Sequence, residues 1–151
     1  MLDPSKKLVY AVESVVDIAY NGGSEPVRSR EIAKRQGVPH RYLEQVMQRL
    51  VHAGVLRGVR GPRGGYRLAR ERRRVTVGEI ARVVYEINGD GSGFEYPTES
   101  RLGQEVVHPL WRDLQGELLE KLDTITIEDL CRKADERGVE SEARERLNYM
   151  I

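Results

Sequence analysis

Arginine side chains are concentrated in the middle of the 151-residue chain, in a pattern suited to binding an anion. Residues 28–74 contain 14 Lys or Arg and 3 Asp or Glu, a balance of +11, whereas the rest of the chain has 11 basic and 21 acidic residues, a balance of −10. The formal net charge of +1 therefore hides a segregation of charge. A disordered basic tail is the alternative, but apolar residues recur at helical spacing inside the block. We therefore expect an anionic partner to bind one face of the molecule.

One predicted helix inside this block presents side chains that can read DNA bases. Apolar residues recur at helical spacing from Tyr42 to Val51, and Gly54 suits the end of the helix. A helix fits the major groove of B-DNA, where Arg, Gln and Glu side chains hydrogen bond to base edges. The polar residues left on its outer face are Arg41, Glu44, Gln45, Gln48 and Arg49. An ordinary solvated helix face is the alternative interpretation.

A hairpin rich in glycine and proline follows this helix and has arginines near its tip. Val55–Arg60 is predicted as a strand, residues 61–65 as a turn and Tyr66–Ala69 as the returning strand. Arg60 and Arg63 are suited to the minor groove, whose negative potential is enhanced where it is narrow. The glycines of the turn would let the backbone approach DNA closely. The other arginines of residues 57–74 are expected to be phosphate counterions, and a plain surface hairpin with surplus charge is the alternative.

The preceding and following elements would position this helix and hairpin. Residues 5–20 are predicted to form an amphipathic helix, and Ser29 is predicted to cap a short helix that ends near Gln36. Two short helices joined by a tight turn form a helix-turn-helix, and a hairpin directly after them is the order of a winged helix. Thr76 to Glu79 matches a capping box, which predicts a further helix to about Ile87.

The second half of the chain is predicted to be a long loop followed by a long helix. Residues 88–103 contain four glycines and a proline without periodicity, and loops of this length are usually functional or disordered. The helix over Gln104–Leu122 carries an apolar stripe wider than one small domain needs, which predicts a symmetric dimer. The stripe consists of Val107, Leu110, Trp111, Leu114 and Leu118. Thr126 is predicted to cap a final short helix.

The predicted fold is therefore mainly α with a small β-hairpin wing. Residues 1–87 are expected to form a winged helix-turn-helix domain and residues 88–103 a sensor-type loop. Residues 104–137 are expected to contain the dimerisation helix and the short helix, and residues 138–151 a charged tail.

The segment HRYLEQVMQRLVHAGVLRGVRGPRGGYRLAR, residues 40–70, resembles the Rrf-two family of bacterial transcription regulators. SKKLVYA, HPLWRDL and TITIEDL extend this resemblance over residues 5–130. It implies a winged-helix DNA-binding domain with a dimerisation helix, and base-reading roles for Arg41, Glu44 and Gln45. The predicted DNA contacts are Ser29, Arg30, Arg41, Tyr42, Glu44, Gln45, Gln48, Arg49, Arg60, Gly61, Pro62, Arg63, Gly64 and Gly65.

The resemblance also raises the question of a cofactor. Many members of the family bind an iron–sulfur cluster through three cysteines in the loop before the long helix, aided by a histidine at its start. This sequence has a histidine there, His108, but its one cysteine, Cys131, lies outside the loop. Because such clusters are held mainly by thiolates, no cofactor is expected. Glu99, Glu105 and His108 are oxygen and nitrogen ligands for a different metal, unless His108 merely packs and the glutamates are solvated.

These observations predict a homodimeric regulator, acting as a repressor, that binds a pseudo-palindromic operator in double-stranded DNA. A small molecule or a protein that orders the loop is a possible effector. The alternatives are a metal- or cluster-sensing regulator that uses His108 with Glu ligands, and a protein-interaction adaptor that has lost DNA binding. An enzyme is not expected, because no nucleophile–base pair, phosphate loop or suggestive acid pair is present.

The expected location is the cytoplasm, with no membrane partner. A single cysteine cannot form an intrachain disulfide, which favours a reducing compartment. No apolar run approaches the ~20 residues that span a bilayer, and Asp3, Glu13 and Asp17 argue against a cleavable signal peptide.

Overall fold

The computed structural model describes residues 4–87 and 99–150, and the side chains of residues 6–85 and 99–149. Its helices and strands are α1 Pro4–Asp17, α2 Ser29–Gln36, α3 His40–His52, β1 Leu56–Val59, β2 Gly65–Leu68, α4 Val77–Ile87, α5 His108–Asp123, α6 Ile127–Glu136 and α7 Glu142–Met150. Short π-helical turns at Ile18–Gly22 and Gly103–Val107 adjoin α1 and α5, and a 3-10 turn spans Arg72–Arg74. The predicted class, mainly helical with one β-hairpin, is confirmed.

The core lies among α1, α2, α3 and α4, which pack against one another. It is built by the apolar side chains that recur at helical spacing on each helix, and each fully buried large one contributes roughly 1.5–3 kcal/mol. Gly37 has a φ of 67°, and this left-handed residue ends α2 and turns the chain into α3. The largest fully buried side chains of these helices are Val15, Ile32, Leu43, Val46, Met47, Leu50, Ile80 and Val84. The predicted helix-turn-helix is therefore present and well packed.

The helix starts agree only partly with the predicted caps. Thr126 caps α6 as predicted, since its Oγ1 accepts from the Asp129 N–H at 3.1 Å. Ser29 does not cap α2, because it is already the first helical residue. Instead the Glu31 carboxylate accepts from the backbone N–H of Arg28, 3.2 Å away. In a capping box, the carboxylate of the third helical residue accepts from the backbone N–H of the residue just before the helix. Glu31 does this for Arg28.

The hairpin, called the wing below, is attached to the segment before α2. β1 and β2 are antiparallel, and Val27 forms a bridge with Tyr66 in which each N–H donates to the other residue's carbonyl at 2.8 Å. A Cβ on Gly65 would lie 2.5 Å from the Val27 carbonyl oxygen, and one on Gly64 would lie 2.3 Å from the Val59 carbonyl oxygen. These two glycines are therefore required by the protein's own backbone, and their predicted contact with DNA stays a prediction.

Residues 138–151, predicted as a charged tail, contain a helix that packs on the π-helical turn after α1. The Ser141 hydroxyl donates to the Tyr20 carbonyl at 2.7 Å, and Arg146 donates to the Gly22 carbonyl at 2.7 Å. Arg35 bridges the buried Asp17 of α1, 2.7 Å away, and Glu142 of α7, 2.9 Å away. The sequence pattern missed α7 because its helix is weakly amphipathic and depends on these tertiary contacts.

Most of the predicted sensor-type loop, residues 88–98, lies outside the described residues. Among the helices that the structure does describe, none is both long and apolar enough to cross a membrane.

Candidate nucleic-acid interface

Helix α3 presents a polar face opposite its buried side, as predicted. Val46, Met47 and Leu50 are completely buried and fix the orientation of the helix. Five polar side chains are exposed on the outer face, namely Arg41, Glu44, Gln45, Gln48 and Arg49. Since each of these can hydrogen bond to a base edge in a major groove, α3 has the chemistry of a recognition helix. Direct contact of these side chains with DNA stays a prediction.

Glu44 gives this face a negatively charged group among donors. Its carboxylate lies 3.5 Å from the Nε2 of His40, one turn earlier, and both side chains are at least half exposed. A carboxylate in the major groove can accept from the amino group of cytosine, and it repels phosphates and base acceptors. Glu44 is therefore suited to discriminating between sequences more than to raising overall affinity.

Tyr42 is not on this face, which corrects its assignment as a DNA contact. The side chain is only 7% exposed, and its hydroxyl donates to the Lys7 carbonyl at 2.8 Å. Its ring centroid is 6.3 Å from that of Tyr10, and burial raises the pKa of Tyr42 to about 12. Tyr42 ties α3 to α1, so it positions the polar face without reaching DNA.

The arginines of the basic block fall into two groups. Among the residues that the structure describes, Arg60 and Arg63 of the wing and Arg41 of α3 are exposed and have no ion-pair partner. In contrast, three arginines beyond the wing are held by carboxylates of the protein: Arg70 by Glu79, Arg72 by Glu128 and Arg73 by Glu71. The predicted phosphate-counterion role is therefore weakened for this second group, because DNA phosphates would compete with carboxylates already in place. Sequence spacing gave little sign of the Glu79 and Glu128 partners, which lie on other helices.

Two further arginines face each other across the wing. Arg57 of β1 and Arg67 of β2 are directly opposite in the antiparallel register. Like charges at opposed positions destabilise a hairpin unless an anion lies between or beside them. The described residues supply no acidic partner to either, so this pair is suited to binding a DNA phosphate.

The wing tip and the start of α2 border an open surface recess of about 440 Å³. Of the predicted DNA contacts, Ser29, Arg30, Gly61, Pro62, Gly64 and Gly65 all line it. Arg28 lines it as well and donates from its guanidinium to the Pro62 carbonyl, which fixes the wing tip relative to α2. The sequence prediction missed Arg28, although its position directly before a helix start was a usable signal. Arg30, which is exposed at the start of α2, is suited to a phosphate group.

The three candidate metal ligands do not form a site in the described part of the chain. Glu105 accepts from Arg101, 3.2 Å away, and Glu99 is exposed. His108 is the first residue of α5, and no group of three His, Cys, Asp or Glu side chains is close enough there to hold a metal ion. Glu99, Glu105 and His108 are therefore better explained as surface and helix-start residues.

The donor set also does not fit a cysteine-ligated iron–sulfur cluster. Cys131 is the only cysteine of the chain, and it is 2% exposed in α6 beside Arg72 and Ser141. Burial raises the pKa of the Cys131 thiol, which favours the neutral thiol over the thiolate that binds iron. One buried, neutral thiol per chain cannot replace three loop thiolates.

We therefore expect protein purified without oxygen to be colourless, with neither iron nor sulfide in stoichiometric amounts. The measurements are an ultraviolet–visible spectrum and metal and sulfide analysis. A family member with three loop cysteines, prepared in parallel, is the control for cluster loss during handling. A brown protein whose colour survived Cys131→Ala would contradict the expectation, because the cluster would then rest on oxygen and nitrogen ligands.

Comparisons with known proteins point to one family. Residues 4–133 match the family model of Rrf2, iron-dependent transcriptional regulators. The chain is 38% identical over 122 residues to the HTH-type transcriptional regulator IscR of Cronobacter sakazakii, covering 80% of this chain and 75% of that protein. The fold is similar to that of T. potens IscR, with a TM-score of 0.70, 36% identity and 93% coverage of both chains. It is also similar to CymR (YrzC), the global cysteine regulator of B. subtilis, with a TM-score of 0.66, 31% identity and coverage of 88% of this chain and 98% of that one.

Proposed function

Because the chain belongs to the Rrf2 family of DNA-binding transcription regulators, we propose that it acts as a homodimeric repressor on a pseudo-palindromic operator. The proposal includes repression by promoter occlusion and action in the cytoplasm, where bacterial promoter DNA is located. The matched relatives are transcription regulators and not enzymes.

The observation that carries the proposal is the arrangement of unpaired charge on one DNA-binding unit. The polar face of α3 is exposed for the major groove, and Arg60 and Arg63 are exposed on the wing for the adjacent minor groove. Three of the arginines beyond the wing, Arg70, Arg72 and Arg73, are instead paired with carboxylates of the protein. This distribution favours sequence-specific DNA binding over the alternative of an adaptor that has lost it.

Dimerisation is supported by helix α5. Its exposed apolar face, called the α5 face below, consists of Val107, Leu110, Trp111, Leu114 and Leu118, each 40–53% exposed. Leu102 and Val106, which the sequence prediction did not include, extend the apolar surface at 69% and 58% exposure. A contiguous apolar patch of this kind on a monomer marks an interaction surface. A second copy is the occupant we propose, because a dimer doubles the short site that one winged domain reads.

Selection from randomised DNA followed by titration at several salt concentrations tests the proposal. We expect a pseudo-palindrome whose half-site centres are about 10 bp apart or a multiple of that. If each subunit neutralises about three phosphates, affinity should fall about 1,000-fold between 50 and 200 mM salt. An equal affinity for all duplexes at every salt concentration would overturn the proposal and favour the adaptor alternative.

A further inference from the structure

The end of α5 is held against α4 by a two-pronged ion pair. Asp123, the last residue of α5, accepts from Arg82 of α4 through both carboxylate oxygens, at 2.6 and 2.9 Å. Hydrogen bonding to the Arg82 guanidinium holds the pKa of Asp123 below its ordinary value. The first turn of α4 has N–H groups without helical partners, so a carboxylate beside it is favoured electrostatically.

Gly78, in that first turn, allows the approach. A Cβ at position 78 would lie 1.9 Å from the Asp123 Oδ1, 2.8 Å from its Cγ and 3.0 Å from its backbone nitrogen. The oxygen is fixed by Arg82 and the nitrogen by the helix, so neither can move away independently. A larger residue at position 78 therefore has to break the Arg82–Asp123 ion pair or displace the end of α5.

A second attachment lies immediately beyond. Thr76 and Thr126 form an antiparallel bridge, in which the Val77 N–H donates to the Ile125 carbonyl and the Ile127 N–H to the Val75 carbonyl, both at 2.9 Å. The chain on both sides of Thr126 is thus pinned to the residues that begin α4. The α5 face, in contrast, is exposed along the helix. The C-terminal end of α5 is therefore its fixed end with respect to the winged domain.

We infer that Gly78, Arg82 and Asp123, called the junction below, set the angle of α5 to the winged domain and so the separation of the two recognition helices. This inference rests on the homodimer proposed above. A 16-residue helix is about 24 Å long, so a tilt of about 10° at one end moves the other by about 4 Å. That displacement is close to the 3.4 Å rise of about one base pair. The three are positioning residues that select operator spacing without touching DNA.

The test is a set of operators in which the selected half-sites are moved apart or together by one to three base pairs. For Gly78→Ala we expect affinity at the wild-type spacing to fall about tenfold, with the optimum shifted or the preference between spacings lost. Asp123→Asn is an exposed change that leaves the fold intact. It should also weaken the preference for the wild-type spacing over the other spacings. Asp135→Ala is the matched control, because it breaks the exposed Arg144–Asp135 pair between α6 and α7.

Two further measurements separate an altered angle from other causes. Light scattering should give the wild-type dimer mass for each variant, and affinity for a single half-site duplex should be unchanged. If the wild type is a dimer with a preferred spacing and the junction variants retain that spacing profile, the inference is wrong and the proposed function stands. If the wild type itself is monomeric or indifferent to spacing, the proposed homodimer is wrong. The inference, which depends on that dimer, is then wrong as well.

Discussion

A Leu114→Asp variant is expected to be monomeric at micromolar concentration and to bind the operator at least about a hundredfold more weakly than the wild type. Leu114 lies in the middle of the α5 face and is 42% exposed in the single chain. In a symmetric dimer the substitution places two carboxylates in one apolar interface, and each buried charge costs several kcal/mol. About 2.8 kcal/mol is already a hundredfold in affinity. Light scattering and operator titration are the measurements.

Gly116→Asp is the matched control for this substitution. It adds the same charged group to the same helix, but a Cβ at position 116 meets no atom within 4 Å in the described chain. Residues 114 and 116 are separated by about 200° around a helix, so the new carboxylate points away from the α5 face. We expect the Gly116→Asp protein to remain dimeric. Dimers of normal stability from the Leu114→Asp chain would show that the subunits associate elsewhere.

Replacing Arg60 with alanine is expected to weaken operator binding by roughly 2–6 kcal/mol. A groove contact by one arginine is worth about 1–3 kcal/mol, and a homodimer loses it twice. Arg60 has no competing carboxylate in the described part of the molecule, so its full charge is available to DNA. If Arg60 reads bases or groove width, sequence preference should relax at one symmetric pair of positions.

The control for the loss of charge is Arg132→Ala. Arg132 is also exposed, but it belongs to α6 outside the basic block, and its nearest carboxylate, on Asp129, is 3.6 Å away. We expect a change of well under tenfold in its operator affinity and an unaltered sequence preference. Equal losses in the two variants would mean that overall charge, and not the wing, determines binding.

Local patterns in the sequence were sufficient to predict the elements that are determined by neighbouring residues. The periodicity of α3 predicted its buried and exposed faces, and Thr126 predicted the start of α6. The wing was predicted from its glycines and proline, with the first strand one residue too long at each end and the second shifted by one residue. These features depend on neighbouring residues, so no tertiary information was needed to find them.

Features that depend on distant residues were missed or misassigned. α7 is held by contacts to Tyr20 and Gly22, more than 120 positions away in the chain. The steric need for glycine at position 65 was missed because its close neighbour, the Val27 carbonyl, is not near it in sequence. Tyr42 was predicted as a DNA contact although its helical position matched the core. In the candidate interface, the sequence shows where arginines are abundant. Only the structure distinguishes the arginines that pair with carboxylates from those that do not.

The docking of α7 bears on how the DNA-binding unit is completed during synthesis. In the π-helical turn after α1, the Tyr20 carbonyl accepts from Ser141, and the Asn21 and Gly22 carbonyls accept from Arg146. On the ribosome, the helix-turn-helix is made well before these partners emerge, so its supporting layer forms only after α7 has been translated. Nascent chains and fragments cleaved before residue 141 therefore contain all of α3 but lack the stabilising contacts of α7. We expect proteases to cleave such fragments faster than the full chain.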